Sequence, residues 1–205
     1  MDQTLSGQLK FAPRPKTVDE LYFLAYMDPL TGTYNRNVLE EMRECLDSQA
    51  LFVTMVDMDN LKTINDKQGH AAGDQAICVV SKFLKQISEA VFRLGGDEFL
   101  LLDRKQIDPE GFLNISCGCV YKPEKEPLSH AMKLADELMY KDKHSKKIEQ
   151  LKAEVNAAFG VPKNILDGVD DTGYNFFKST FMKGGADEDD KGKDEADGLS
   201  RIFFE

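Results

Sequence analysis

Four acidic residues and one lysine in the first half of this chain have the types and spacing for phosphate chemistry. Asp57 and Asp59 stand at alternate positions at the end of the apolar run "LFVTMVDMD" (51–59). Asp97 and Glu98 follow two glycines in "RLGGDEFLLLDR" (93–104). Residues two apart on a strand share a face, so Asp57 and Asp59 project the same way, toward whatever a neighbouring hairpin turn presents. Taken alone, Gly-Gly-Asp is ordinary turn chemistry, because glycine supplies positive φ and aspartate bonds its own backbone. A second acid delivered to the same place changes that reading. Like charges held together are unfavourable unless a cation neutralises them. Such a group suits Mg²⁺, a hard ion that keeps water and substrate phosphate in its shell, and Asp57 with Asp97 is the expected metal pair. Past Asp59 a helix starting near Asn60 carries Lys62 in its first turn. Free N–H groups at a helix N-terminus bind phosphate and a lysine adds a point charge, so these residues point to a triphosphate site.

The elements that must position them follow from periodicity. Thr17 and Glu20 form a capping box for a helix over "TVDELYFLAYM". Pro29 and Gly32 mark a turn in "DPLTGTYNRN", and a second helix is expected over 36–47. Residues 51–59 read as a buried strand, 60–68 as a short helix, "QGHAAGD" as a turn and 75–87 as a longer helix with Ile77, Val80, Leu84 and Ile87 apolar. "AVFRL" and "FLLLD" form two strands around the turn, and "FLNISCGCVY" a third. Residues 128–145 are helical with Leu134, Leu138 and Met139 expected on one face, and 146–158 can extend that helix.

At 205 residues the chain suits one domain with tails. A net charge of −10 argues against a nucleic-acid backbone or an anionic membrane as partner. No signal peptide and no apolar run near ~20 residues is present, so a cytoplasmic protein is expected. Cys45, Cys78, Cys117 and Cys119 make neither a zinc pattern nor a CxxC pair and are expected reduced, with Cys117 and Cys119 in the core. The stretch 184–198 has seven acids against two lysines and no large apolar side chain, the composition of a disordered segment.

Five motifs in order, "DPLTGTYNR" (28–36), "VDMDNLKTINDKQGHAAGD" (56–74), "RLGGDEF" (93–99), "ISCGCV" (115–120) and "ADELMYKDK" (135–143), closely resemble the GGDEF family of diguanylate cyclases, which make cyclic di-GMP from two GTP. The resemblance implies an α+β, palm-like nucleotidyl-cyclase fold, with a central, mostly antiparallel sheet flanked by helices. It places the GGDEF domain at 28–148; composition and capping add a flexible leader at 1–16, a leading helix at 17–27, a partly ordered extension at 149–183 and an acidic disordered tail at 184–205. It also implies metal binding by Asp57, Asp97 and the Met58 carbonyl, with Glu98 near a second Mg²⁺ (or Mn²⁺) or the attacking hydroxyl. Asn65 and Asp74 match positions that bond the guanine edge. Lys62, Lys143 and Lys147 match phosphate-binding positions, and Arg93 matches the arginine preceding the signature. Catalysis in this family joins two facing copies, so GTP and a second copy of the chain are the implied partners, with a separate sensor or effector protein as a further one.

Three departures stand out. Only "DRKQIDPEG" (103–111) stands where the family has a helix of roughly twenty residues, too short for a helical crossover. One sheet face is therefore expected to lack its cover, unless "AAFGVPKNIL" (157–166), "YNFFKSTFM" (174–182) or a partner subunit supplies it. This feature supports an alternative reading, a degenerate domain that binds GTP or docks a protein. No sensory segment precedes 17–27, so dimerisation is expected to come from the tail, from substrate or from another protein. Finally, Gln86 and Glu89 replace the family's inhibitory RxxD, which removes the arginine that grips a guanine or phosphate. Cyclic di-GMP titrated into the purified protein should find no tight site at Gln86 and Glu89; calorimetric binding lost on substituting those two residues would refute this.

Overall fold

The computed structural model describes residues 17–107, 109 and 114–160. In chain order its elements are α1 (Val18–Tyr26), β1 (Tyr34–Asn35), α2 (Arg36–Glu41), α3 (Arg43–Asp47), β2 (Leu51–Met58), α4 (Leu61–Gln68), α5 (His70–Ile87), β3 (Ala90–Gly95), β4 (Glu98–Asp103), β5 (Ile115–Lys122) and α6 (Leu128–Phe159). The expectations for 1–16 and 161–205 lie outside the described residues. Among the described residues no helix is long and apolar enough to cross a membrane. The boundary between two compact units falls inside α6, after Tyr140.

The strands form one sheet in the order β1-β3-β4-β2-β5. β2 is antiparallel to both β4 and β5, β3 is antiparallel to β4, and β1 runs parallel to β3. This is the mostly antiparallel α+β arrangement implied by the motifs. Alternation along β2 divides the core. Val53 and Met55 face a cluster built from α2, α3 and the first turns of α6, whereas Val56 and Met58 face α5 through Ile77, Val80 and Leu84. Fully buried leucine, valine and phenylalanine side chains of this kind contribute roughly 1.5–3 kcal/mol each.

Several local expectations need correction. Met42, at ψ 1°, divides the single helix expected over 36–47 into α2 and α3. The turn expected at "QGHAAGD" narrows to Gly69, at φ +86°, because His-Ala-Ala can join the helix and only the glycine must leave it. Asp74 therefore stands on α5. On α6 the buried face is Leu128, Ala131, Ala135 and Met139, while Leu134 and Leu138 are about two-fifths exposed. Nor are Cys117 and Cys119 fully in the core, being half-buried. The shortened β4–β5 connection supplies some cover of its own: Ile107 packs on the α5-side cluster and Pro109 is fully buried.

Small residues on α6 have a partner on β5. A Cβ on Gly118 would collide with the carbonyl oxygen of Ala135 and the amide nitrogen of Met139 and stand 2.7 Å from Leu138 Cβ. Helix and strand thus touch backbone to backbone. The start of α6 is fixed by Asp47, whose carboxylate accepts the Leu128 N–H at 2.6 Å. The buried Lys122 ammonium donates to the carbonyls of Asp47, Gln49 and Pro123 at 3.0, 2.7 and 3.2 Å, tying the end of β5 to the α3–β2 link. Gly118→Ala must push a whole helix outward, so urea unfolding should show a loss of about 2–4 kcal/mol, in the range of overpacked cores and disrupted packing. A change below about 0.5 kcal/mol would contradict the close contact.

Candidate active site

β2 delivers the first acid. Asp57 is its penultimate residue, 8% exposed, and lies in register opposite Glu98 on β4 and Ser116 on β5. Directly opposed residues share a face, so these groups sit on the sheet face that carries α2 and α3. Asp97 arrives on the β3–β4 turn, half-buried, and its carbonyl accepts the Met58 N–H at 3.1 Å. The turn is thereby fastened to the end of β2. Asp59 serves a different purpose, because the Ser116 hydroxyl lies 2.8 and 3.0 Å from its two carboxylate oxygens and its N–H donates to Asn114 at 2.8 Å. A cavity of about 410 Å³ opens beside Glu98, with Leu94, Arg36, Arg43 and Met132 among its walls. Among the described residues no three His, Cys, Asp or Glu side chains converge closely enough to hold a metal ion. Asp57 and Glu98, opposite one another in register, offer oxygen donors, the kind a hard ion takes beside water and phosphate.

Arg93 holds the turn from beneath. Its Nε and Nη2 donate to the Gly96 carbonyl at 3.1 and 2.7 Å, and its Nη1 reaches Asp28 at 3.0 Å. Gly96 is at φ +52°, a left-handed conformation natural to glycine. Asp28 also accepts from the Thr31 N–H and hydroxyl at 2.9 and 2.7 Å, and the Thr31 carbonyl accepts from Lys85 at 2.8 Å. Burial alone would raise the Asp28 carboxyl. The bonds from Thr31 and the Arg93 guanidinium outweigh it and hold the group below the ordinary aspartate range.

The nucleotide-binding candidates cluster on α4 and α5. Asn60, at φ +62°, turns the chain into α4, whose first N–H groups receive no side-chain cap. Lys62 follows, exposed and without an ion pair among the described residues. Asn65 is half-buried and packs against Gly73, the residue before the exposed Asp74. Lys143 and Lys147 lie beyond Tyr140 in the second unit, four residues apart on one face of α6. Gln86 and Glu89 are exposed; Glu89 pairs loosely with Arg104 at 3.5 Å, and its N–H donates to the buried Asp103 at 2.6 Å.

Residues 25–111 match the family model described as diguanylate cyclase, GGDEF domain. A solved microbial GGDEF domain, studied for its interaction with bis-(3′,5′)-cyclic di-GMP, is 30% identical with a TM-score of 0.51, covering 59% of this chain and 94% of that one. The chain belongs to the GGDEF family. Among curated GGDEF relatives, the probable diguanylate cyclase DgcJ of Escherichia coli K12 is 34% identical over 147 residues, 58% of this chain and 29% of DgcJ. The probable diguanylate cyclase DgcI of the same organism is 33% identical over 162 residues, 69% of this chain and 37% of DgcI. The chain thus spans about a third of the length of these relatives.

Two parts of this GGDEF site escape a residue-by-residue reading of the sequence. "DPLTGTYNR" signals a turn, but its bond to Arg93 joins residues 65 positions apart. Ser116 lies in a strand of small residues, and only register sets it beside Asp59. The Arg93–Asp28 contact generates a pH test. Asp28→Asn should lower unfolding free energy by about 1–3 kcal/mol at neutral pH, the worth of hydrogen bonds to a charged group. Because folding depresses the Asp28 pKa, this difference is fully present above the unfolded value near pH ~4 and is lost as pH falls through the folded value. Urea titrations of both proteins across that range should converge on acidification; a constant gap would contradict the assignment.

Proposed function

We propose that this GGDEF protein is a diguanylate cyclase that condenses two GTP into cyclic di-GMP, acting as a dimer in the cytoplasm with Mg²⁺ or Mn²⁺. The observation that carries the reading is the delivery of three acids to one sheet end by the backbone: Asp57 buried and in register with Glu98, and the turn bearing Asp97 hydrogen-bonded to Met58. In this reading Asp57, Asp97 and the Met58 carbonyl would hold the divalent ion, and Glu98 would assist at a second ion or at the attacking hydroxyl. The bound ion supplies charge neutralisation for the phosphates and the in-line displacement.

The chain's own groups account for the remaining work. The N-terminus of α4 and Lys62 bind phosphate. Asn65 and Asp74 recognise guanine, since a carboxylate accepts from the N1–H and amino group that adenine arranges differently. Arg93 keeps the signature turn in place. The 3′-oxygen of one GTP bonds to the α-phosphorus of the other, the bond from that phosphorus to the bridging oxygen breaks, and pyrophosphate leaves. Glu98 takes the hydroxyl proton. A second such step in the opposite direction closes the ring, so each copy presents one GTP to its partner and the protein contributes chiefly orientation.

The short β4–β5 connection favours a second reading, a GTP-binding or docking module without turnover. Incubation with GTP and Mg²⁺ at high protein concentration, with products identified by mass, separates the two. We expect cyclic di-GMP from the wild type, none from ATP, and a rate reduced about 100-fold or more in Asp97→Ala, the scale of losing a group that acts in the transition state. GTP bound without any cyclic dinucleotide would establish the second reading instead.

A further inference from the structure

Gly73 stands at the fourth position of α5, buried and inside the helix, where alanine is intrinsically the better helix former. The reason for glycine lies across the α4–α5 hairpin. A Cβ at this position would collide with Asn65 Oδ1 and stand 2.9 Å from Asn65 Cγ and 3.2 Å from Leu61 Cδ1. The Asn65 carboxamide therefore rests on the bare Cα of Gly73. That carboxamide is half-buried and makes no hydrogen bond to any described residue. An amide presents an acceptor and two donors side by side, the complement of the 2-amino group and ring N3 on one edge of guanine.

We infer that Gly73 is a positioning residue for base selection: it seats the Asn65 carboxamide next to Asp74 and so sets the preference for guanine. The inference rests on the GTP reading above. The atoms in the way belong chiefly to the end of a rotatable side chain, and Leu61 Cδ1 needs to give only slightly. A methyl group at position 73 thus displaces the amide and leaves the two helices where they are. The consequence is a variant that folds normally and recognises its base poorly.

The test uses the full chain and the α,β-methylene analogues of GTP and ITP, the second lacking the 2-amino group, with affinities measured by calorimetry in Mg²⁺. Wild type should prefer the guanine analogue. Gly73→Ala should lose at least about fivefold of that preference, the scale of a lost hydrogen bond, and its melting temperature should stay within a few degrees of wild type. In an Asn65→Ala background, where the obstructing group is gone, Gly73→Ala should cost nothing further. Full retention of the preference in Gly73→Ala overturns the inference, as does an equal loss added on top of Asn65→Ala. Failure of Gly73→Ala to fold overturns it too, because the obstruction would then lie in the helices. Wild type that binds neither analogue would overturn the GTP reading, and this inference with it.

Discussion

The candidate site takes its geometry from the pairing of β2 along both edges. β4 on one side and β5 on the other hold this strand in fixed register, and a slip of one residue would turn every side chain to the opposite face. Such a slip would carry the charged Asp57 across to the α5-facing side, among Ile77, Val80 and Leu84, where a charge is costly to bury. Asp57 is thus held beside Glu98 and Ser116 by the same burial that stabilises the domain. Stability and the placing of the acids are one constraint.

A second line of support reaches the turn that carries Asp97. Arg93 connects the Gly96 carbonyl to Asp28, Asp28 is held by Thr31, and Lys85 fixes the Thr31 carbonyl from α5. Each contact involves at least one charged group, and those to Asp28 and from Lys85 are partly buried; a charge-assisted bond exceeds a neutral one. Two glycines make the turn conformationally permissive, and this network selects one conformation from those available. Disturbance at Asp28 is therefore expected to reach Asp97 without any change in the acids themselves.

The connection after β4 shows how the fold accommodates a shortened segment. β4 and β5 run parallel on either side of β2, so the chain must cross over, and a helix usually makes such a crossing. Here Ile107 packs on the α5 side, where it buries part of the surface such a helix would take, and Pro109 is itself buried. The opposite face depends instead on contact between α6 and Gly118, where the absence of a side chain lets two backbones meet.

Length, motif order and alternation determined much by themselves. The apolar run of β2 fixed which residues face each side, because a strand has period two. The turn residues around Gly96 and the capping box of Thr17 and Glu20 were legible because their causes lie within four residues. Asp57, Asp97, Lys62, Asn65 and Asp74 were identifiable as candidates from their types and from family resemblance. Only tertiary structure decided which acid answers to Ser116, what holds Arg93, which face of α6 is buried and why residue 73 is glycine. Leu134 and Leu138 looked like core by hydrophobicity, but the buried face follows Ala131 and Ala135, since close approach to Gly118 favours small side chains over large ones. These outcomes depend on atoms brought together from distant parts of the chain, and local periodicity carries no record of such distances.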